Sequence, residues 1–243
     1  MSIERWRAYR KDDEHSYVMG VYPSFRLLET SPERCIQVLM TEDLKEREKA
    51  EDLATKLGVP YEIAPRAIER ISKRQNYHML AVIKKEAPRA ENRRQVLLDE
   101  VDDMGNLGTI IRTMLAFEVR DLCLVGNCCD LWDPRVIRAT MGAFFQMRIS
   151  FFPNLEAWRA AFPERKLGAL LLDKEAEYLR QGMEKLSSDE KDNLTLAFGN
   201  EGAGLGRGYQ ETADYKWIIP QSSEVDSLNL AEAASIALYE WSQ

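Results

Sequence analysis

A chain of 243 residues, 45% hydrophobic and 30% charged, is long enough to bury a sizeable core and has an ordinary globular composition. Its longest apolar runs, such as Leu167 to Leu172, fall far short of the roughly 20 residues needed to span a bilayer. A net charge of −7 opposes a nucleic-acid partner at first sight, but residues 1–94 hold 19 Lys+Arg against 16 Asp+Glu, and residues 95–243 hold 14 against 24.

The N-terminus, MSIERWRAYRKDDE, lacks the apolar core of a signal peptide, so a cytoplasmic protein is expected. Cys35 to Met40 reads as a buried strand, Asp43 to Leu57 as an amphipathic helix closed by Gly58 and Pro60, Pro65 to Ile71 as a short helix and Leu80 to Ile83 as a strand. Basic clusters recur along this third of the chain: Arg5, Arg7, Arg10 and Lys11; Lys73 and Arg74; Lys84 and Lys85; Arg89, Arg93 and Arg94. They read either as solvated faces or as a phosphate-contacting region. The polar, proline-bearing stretch Glu86 to Gln95 then breaks the pattern. It divides the chain into a small α/β domain, residues 1–88, and a larger domain, residues 92–243.

In the larger part, apolar runs recur at Val96–Val101, Leu122–Val125, Met147–Phe152, Leu167–Leu172, Leu194–Phe198 and Trp217–Ile219. Helical stretches lie between several of them, at Leu107–Phe117, Pro134–Met141 and Leu155–Phe162. Strands alternating with helices predict a mostly parallel, Rossmann-like α/β sheet, whose ligands gather beyond the carboxyl ends of the strands. The loops after Val101, Phe198 and Ile219 are the places where chemistry is expected. The four cysteines, Cys35, Cys123, Cys128 and Cys129, form no C-x-x-C pair and have no histidine nearby in sequence, so no metal site is expected.

The first loop, Asp99 to Met114, carries Gly105 and Gly108 for a tight turn and Asn106 where it can cap the following helix. Arg112 follows on that helix, placed to pair with a carboxylate or a phosphate. The second loop, Leu196 to Gly208, holds five glycines and one acidic residue, Glu201, so a ligand can lie against bare backbone. It fits neither the G-x-G-x-x-G dinucleotide fingerprint nor a P-loop. In the third segment, Trp217 to Trp241, Ser227-Leu228-Asn229 opens an alanine-rich helix. Ser227 reads there as an N-cap, and no G-x-S-x-G elbow makes it a hydrolase nucleophile.

Taken in order, these segments resemble the SpoU/TrmH-like branch of the SPOUT RNA 2′-O-ribose methyltransferases. The matching residues are Asn106-Leu-Gly108 with Arg112, then Arg138-Ala-Thr-Met-Gly142-Ala143, then Gly199-Asn200-Glu201-Gly202 with Leu205. Ile219-Pro220 with Ser227-Leu228-Asn229 completes the set. The resemblance covers roughly residues 95–243. It implies a sheet closed by a deep trefoil knot, preceded by a small α/β RNA-binding domain, and S-adenosylmethionine (AdoMet) as cofactor. The cofactor would be held around Gly199, Asn200, Gly202, Ile219 and Leu228. It implies methyl transfer to a ribose 2′-hydroxyl of structured RNA (tRNA or rRNA), with Arg112, Asn106, Glu201, Ser227 and Asn229 in the reactive centre and Glu201 orienting Arg112 or a hydroxyl. It also implies a homodimer formed through the knot and the last helix, with no membrane and no metal. The alternative is a non-catalytic RNA-binding relative of the same fold. The chain departs from the family pattern at Met104, where proline is usual, and near Ser223, where glycine is common.

Overall fold

The computed structural model describes residues 6–73, 77–173 and 175–243. Arg5 and Arg74 of the basic clusters lie outside the described residues. The first third folds in the order β1 (His15–Met19), α1 (Val21–Thr30), β2 (Cys35–Met40), α2 (Arg47–Leu57), β3 (Tyr61–Ile63), α3 (Pro65–Ser72) and β4 (Met79–Lys84). The remainder runs β5 (Gln95–Asp99), α4 (Met104–Ala116), β6 (Asp121–Val125), α5 (Pro134–Ala139), β7 (Arg148–Phe152), α6 (Leu155–Ala161) and β8 (Lys166–Leu170). It ends with β9 (Glu177–Tyr178), α7 (Leu179–Lys185), α8 (Ser188–Asp192), β10 (Leu194–Phe198), α9 (Arg207–Thr212), β11 (Tyr215–Ile218) and α10 (Leu230–Ser242).

The chain forms two compact units. In the first, a four-stranded sheet runs β1-β4-β2-β3, with β4 antiparallel to both neighbours and β3 parallel to β2. Central β4 is buried from Met79 to Ile83, which is why it reads as an uninterrupted apolar run. Ala67, Ile68 and Ile71 of α3 join Tyr17, Leu39, Leu80 and Val82 in one core. The helix expected from Asp43 begins only at Arg47, because residues 41–46 are taken up by turns.

The packing divides the chain differently from a single cut between residues 88 and 92. The first unit holds the described residues up to Glu86 together with Asp130–Gln146, and the second holds Ala87–Cys129 with Met147–Gln243. Segment 130–146, including α5, therefore packs with the N-terminal sheet. Trp132 accepts a hydrogen bond at its carbonyl from Ser16 Oγ (2.5 Å), and Phe145 accepts one from Ser31 Oγ (2.9 Å). The buried Arg34 guanidinium faces the rings of Trp132, Phe144 and Phe145 at 5.7, 5.1 and 5.6 Å. Among the described residues its nitrogens find no hydrogen-bond acceptor, and the rings together with the charges of Glu33 and Glu86 only partly offset a desolvation that pushes its pKa down to about 10.

The second unit is a seven-stranded sheet in the order β7-β6-β5-β10-β8-β11-β9, parallel at every pairing. Strands β6 and β10 are buried along their whole length, as expected for strands covered on both faces. Neither the short helices α7, α8 and α9 nor the two-residue β9 stands out in the sequence. Trp217 of β11 is fully buried where Gly168 of β8 and Gly182 of α7 leave room for its indole. A Cβ at position 182 would come within 2.0 Å of Trp217 Nε1. Gly182→Ala is therefore expected to destabilise the protein by about 1–3 kcal/mol, read as a fall of several degrees in Tm by thermal unfolding.

Candidate active site

The glycine-rich loop leaves β10 at Phe198 and turns back on itself, with an Asn200–Gly204 bridge and Gly204 in the left-handed region at φ 67°. Gly199 is where the turn is tightest. A Cβ there would meet the Gly204 carbonyl carbon at 2.1 Å and the Leu205 amide nitrogen at 2.3 Å.

Two side chains fasten this loop to its neighbours. Asn200 Nδ2 donates to the Glu100 carbonyl (2.8 Å) and to Asp102 Oδ2 (3.0 Å), while its Oδ1 accepts from the amides of Gly202 (2.9 Å) and Ala203 (3.1 Å). These bonds hold Glu100 at φ 53°, a conformation non-glycine residues seldom adopt. The Glu201 carboxylate accepts from the amides of Asp102 (3.2 Å) and Asp103 (3.1 Å) and from Asn106 Nδ2 (3.0 Å). Asn106 Oδ1 in turn accepts from Asn229 Nδ2 (3.0 Å), and Asn229 caps α10 through the amides of Ala231 and Glu232. A continuous chain, Glu201–Asn106–Asn229, thus ties three loops together. Desolvation works against ionisation of Glu201, but the bonds from Asn106 and the backbone amides outweigh it and hold the carboxyl below its ordinary 4.5.

The structure corrects several expectations. The α4 N-cap is Asp103, which accepts from the Asn106 amide at 2.7 Å, so the Asn106 carboxamide is free for the tertiary bonds above. Asn229, not Ser227, caps α10. Arg112 is the ninth residue of α4, in its third turn, and is exposed. Six residues separate it from Asn106, a rise of about 9 Å and a rotation of about 240° along a helix, so the two side chains leave different faces. Glu201 orients Asn106 and two backbone amides; it makes no bond to Arg112.

Beside the clamp lies a cavity of about 290 Å³ at the carboxyl ends of β8, β10 and β11. Gly199, Asn200, Glu201, Gly202, Ile219, Ser227 and Leu228 all line it; Asn106, Arg112 and Asn229 do not. The loop after β5 therefore serves the pocket by buttressing its glycine wall, and the third wall is one the sequence reading passed over, Leu170 to Leu172 beyond β8. Asp226 is a further residue missed, with no flanking pattern to mark it. Among the described residues the charged lining consists of Glu201 and Asp226, with no lysine or arginine. Apolar walls, glycine backbone and two carboxylates suit a cationic ligand with an apolar or aromatic body; they repel a phosphate.

The SpoU rRNA Methylase family model matches residues 93–239. The chain belongs to this SpoU family. Its members include a 23S rRNA (uridine(2479)-2′-O)-methyltransferase of Streptomyces viridochromogenes, 29% identical over 212 residues, covering 84% of this chain and 69% of that protein. An uncharacterized tRNA/rRNA methyltransferase of Synechocystis is 30% identical over 167 residues, 63% of this chain but only 54% of the relative's length. An AdoMet-bound rRNA methyltransferase from Sinorhizobium meliloti superposes with a TM-score of 0.77 at 27% identity, covering 94% of this chain and 87% of that one. Among the described residues no helix is long and apolar enough to cross a membrane, and no cluster of metal-ligating side chains occurs.

Two outcomes follow from the geometry. Gly199→Ala is expected to abolish binding in the cavity, because the Cβ would displace loop backbone; calorimetric titration with AdoMet checks it. The depressed Glu201 pKa means the clamp stabilises the fold above the ordinary carboxylate range and is lost as pH falls through the lower folded-state value. The stability difference between the unaltered chain and Glu201→Gln should therefore shrink on acidification, followed by denaturant unfolding at each pH.

Proposed function

We propose that the chain is an AdoMet-dependent RNA methyltransferase acting on a ribose 2′-hydroxyl of tRNA or rRNA. The observation that carries this reading is the carboxylate-bearing, glycine-walled pocket at the strand ends of a SpoU-family sheet. AdoMet, when bound, supplies a methyl group activated on a positively charged sulfur. The residues present fit such a ligand: Gly199, Asn200 and Gly202 give a backbone wall, Ile219 and Leu228 give apolar surface, and Glu201 and Asp226 match the positive charge. The names of the relatives, 23S rRNA 2′-O-methyltransferases among them, support RNA as substrate and ribose oxygen as acceptor. Family membership supports the trefoil knot at the base of this pocket.

A ribose hydroxyl is a poor nucleophile until its proton leaves, so the site must stabilise a developing oxyanion. Ser227, in the pocket lining, would contact the ribose, while the Asn106–Asn229 pair fixes the loop that presents it. Arg112 acts by holding the neighbouring phosphate and spreading its charge toward the oxygen. Because Arg112 leaves α4 away from its own chain's clamp, a homodimer is part of the reading, with α4 and α10 offering the contact surface. Helix α10 packs on α4 and exposes Ile236 and Tyr239. The cytoplasm is the compartment we propose, from the bacterial 23S rRNA methyltransferases among the relatives, others of which are named mitochondrial.

Arg112→Ala is expected to lower methyl transfer from radiolabelled AdoMet to RNA by about 100-fold or more. AdoMet affinity, measured by calorimetry, should stay unchanged. Near-normal turnover would remove Arg112 from the reaction. Absence of AdoMet binding by the unaltered chain would favour the non-catalytic RNA-binding alternative.

A further inference from the structure

The acidic pocket cannot hold RNA phosphates, so the substrate backbone must be gripped elsewhere. The N-terminal unit contains a second cavity, of about 300 Å³, of opposite electrostatic character. Its walls come from three stretches distant in sequence: Tyr9 ahead of β1, the end of α3 with Tyr77, and α5 with Arg135 and Arg138. Among the described residues three cations, Lys73, Arg135 and Arg138, line it against one carboxylate, Asp133.

That carboxylate is already committed. Asp133 accepts from the Arg135 amide (2.8 Å), from Arg135 Nε (2.9 Å) and from Arg135 Nη2 (2.9 Å), so this pair is internally neutral. Among the described residues Arg138 has no acidic partner; its Nη1 donates to the Tyr77 hydroxyl at 3.0 Å, which holds guanidinium and phenol together on the cavity wall. Lys73 is exposed, sits at the C-terminus of α3 in the left-handed region at φ 52°, and has no ion pair among the described residues. On the opposite wall the Tyr9 hydroxyl is engaged by Asp130 (2.5 Å), and Lys85 lies 4.6 Å from the centre of its ring. Two unneutralised cations therefore border a concave site with two tyrosine rings in its lining.

We infer that this cavity is an RNA subsite that seats one unpaired nucleotide of the substrate. Its phosphate lies between Lys73 and Arg138, and its base lies against Tyr77. The inference rests on the RNA-methyltransferase reading for the identity of the ligand, while the site itself rests on the geometry above. A volume near 300 Å³ is at the small end of ligand sites, the scale of a single nucleotide and too small for a helix. Unpaired bases are recognised by stacking on tyrosine or on guanidinium planes, and paired bases are not available for it. An arginine with no carboxylate to satisfy its donors is a ready partner for phosphate oxygens. The site also explains why segment 130–146 belongs to the N-terminal unit: the segment brings Arg138 to a surface whose other parts lie before residue 80.

The test uses the full chain and two fluorescein-labelled RNAs of one composition, a ten-nucleotide single strand and a blunt duplex, read by fluorescence anisotropy at several salt concentrations. Lys73→Ala/Arg138→Ala is expected to weaken single-strand binding by about tenfold or more and to flatten its salt dependence, with a smaller effect on the duplex. Tyr77→Leu is expected to weaken it by about tenfold with the salt dependence unchanged. Tyr77→Phe should retain most of the affinity. Both cations are exposed, so the double variant keeps its Tm and carries the test even if Tyr77→Leu does not fold. Single-strand binding unchanged in the folded double variant overturns the subsite, and so does competition by polyglutamate equal to that by unlabelled RNA. AdoMet calorimetry on the same proteins separates the two readings. AdoMet binding with unchanged RNA binding sinks the subsite alone, whereas RNA binding that depends on Lys73 and Arg138 without AdoMet binding sinks the methyltransferase reading alone.

Discussion

The Glu201 carboxylate, accepting from the amides of Asp102 and Asp103 and from the Asn106 carboxamide, is the contact on which the candidate active site depends. Loops at the ends of parallel strands have no ladder to hold them, so their relative positions must come from side chains reaching across. Here a charged acceptor sits at the N-terminus of α4, where free amides and the helix dipole favour negative charge. The Asn106–Asn229 bond carries the constraint on to α10. One carboxylate thereby sets the spacing of the β5, β10 and β11 loops, and with it the mouth of the pocket. Removing Glu201 would leave Asn106 and two amides without their acceptor, which is why the residue serves the architecture as well as the ligand.

Charge is sorted along the chain in a way that matches the two cavities. Among the described residues the pocket in the second unit has only carboxylates in its charged lining, while the cavity in the first unit has an excess of cations. A ligand with positive charge is drawn to the former and a polyanion to the latter, and neither is attracted to the wrong place. The chain's net charge of −7 is thus compatible with an RNA substrate, because the sign that matters is local.

Steric fit supports both sites from below. Trp217 occupies space that Gly168 and Gly182 leave open, which fixes β11 beneath the loop running from Ile219 to Leu228. Arg34 performs a comparable task in the other unit. With no acceptor for its guanidinium among the described residues, it faces three rings of segment 130–146, and so binds that segment to the N-terminal sheet. The helix that carries Arg138 is anchored by the same contacts.

The sequence by itself determined the class of fold and the location of the chemistry. Buried parallel strands announce themselves as continuous apolar runs, so β5, β6, β7, β8, β10 and β11 were all legible, to within two residues at their ends. Glycine density at Gly199 to Gly208 and the Ser227-Leu228-Asn229 segment marked two walls of the pocket, because such residue choices reflect local backbone demands. Strand order, the clamp and the exposure of Arg112 depend on contacts between residues about 100 apart, which no local pattern records. The sequence placed Asn106 as a cap, and the family resemblance had Glu201 orient Arg112 or a hydroxyl; the fold gave the cap to Asp103 and left Arg112 exposed, on a different face of the helix from Asn106 six residues earlier. It also placed segment 130–146 with its sequence neighbours, as composition always will. Only the tertiary structure decided that this segment completes the N-terminal unit, because apolar rings from the segment and a buried cation from the other side meet only when the chain is folded.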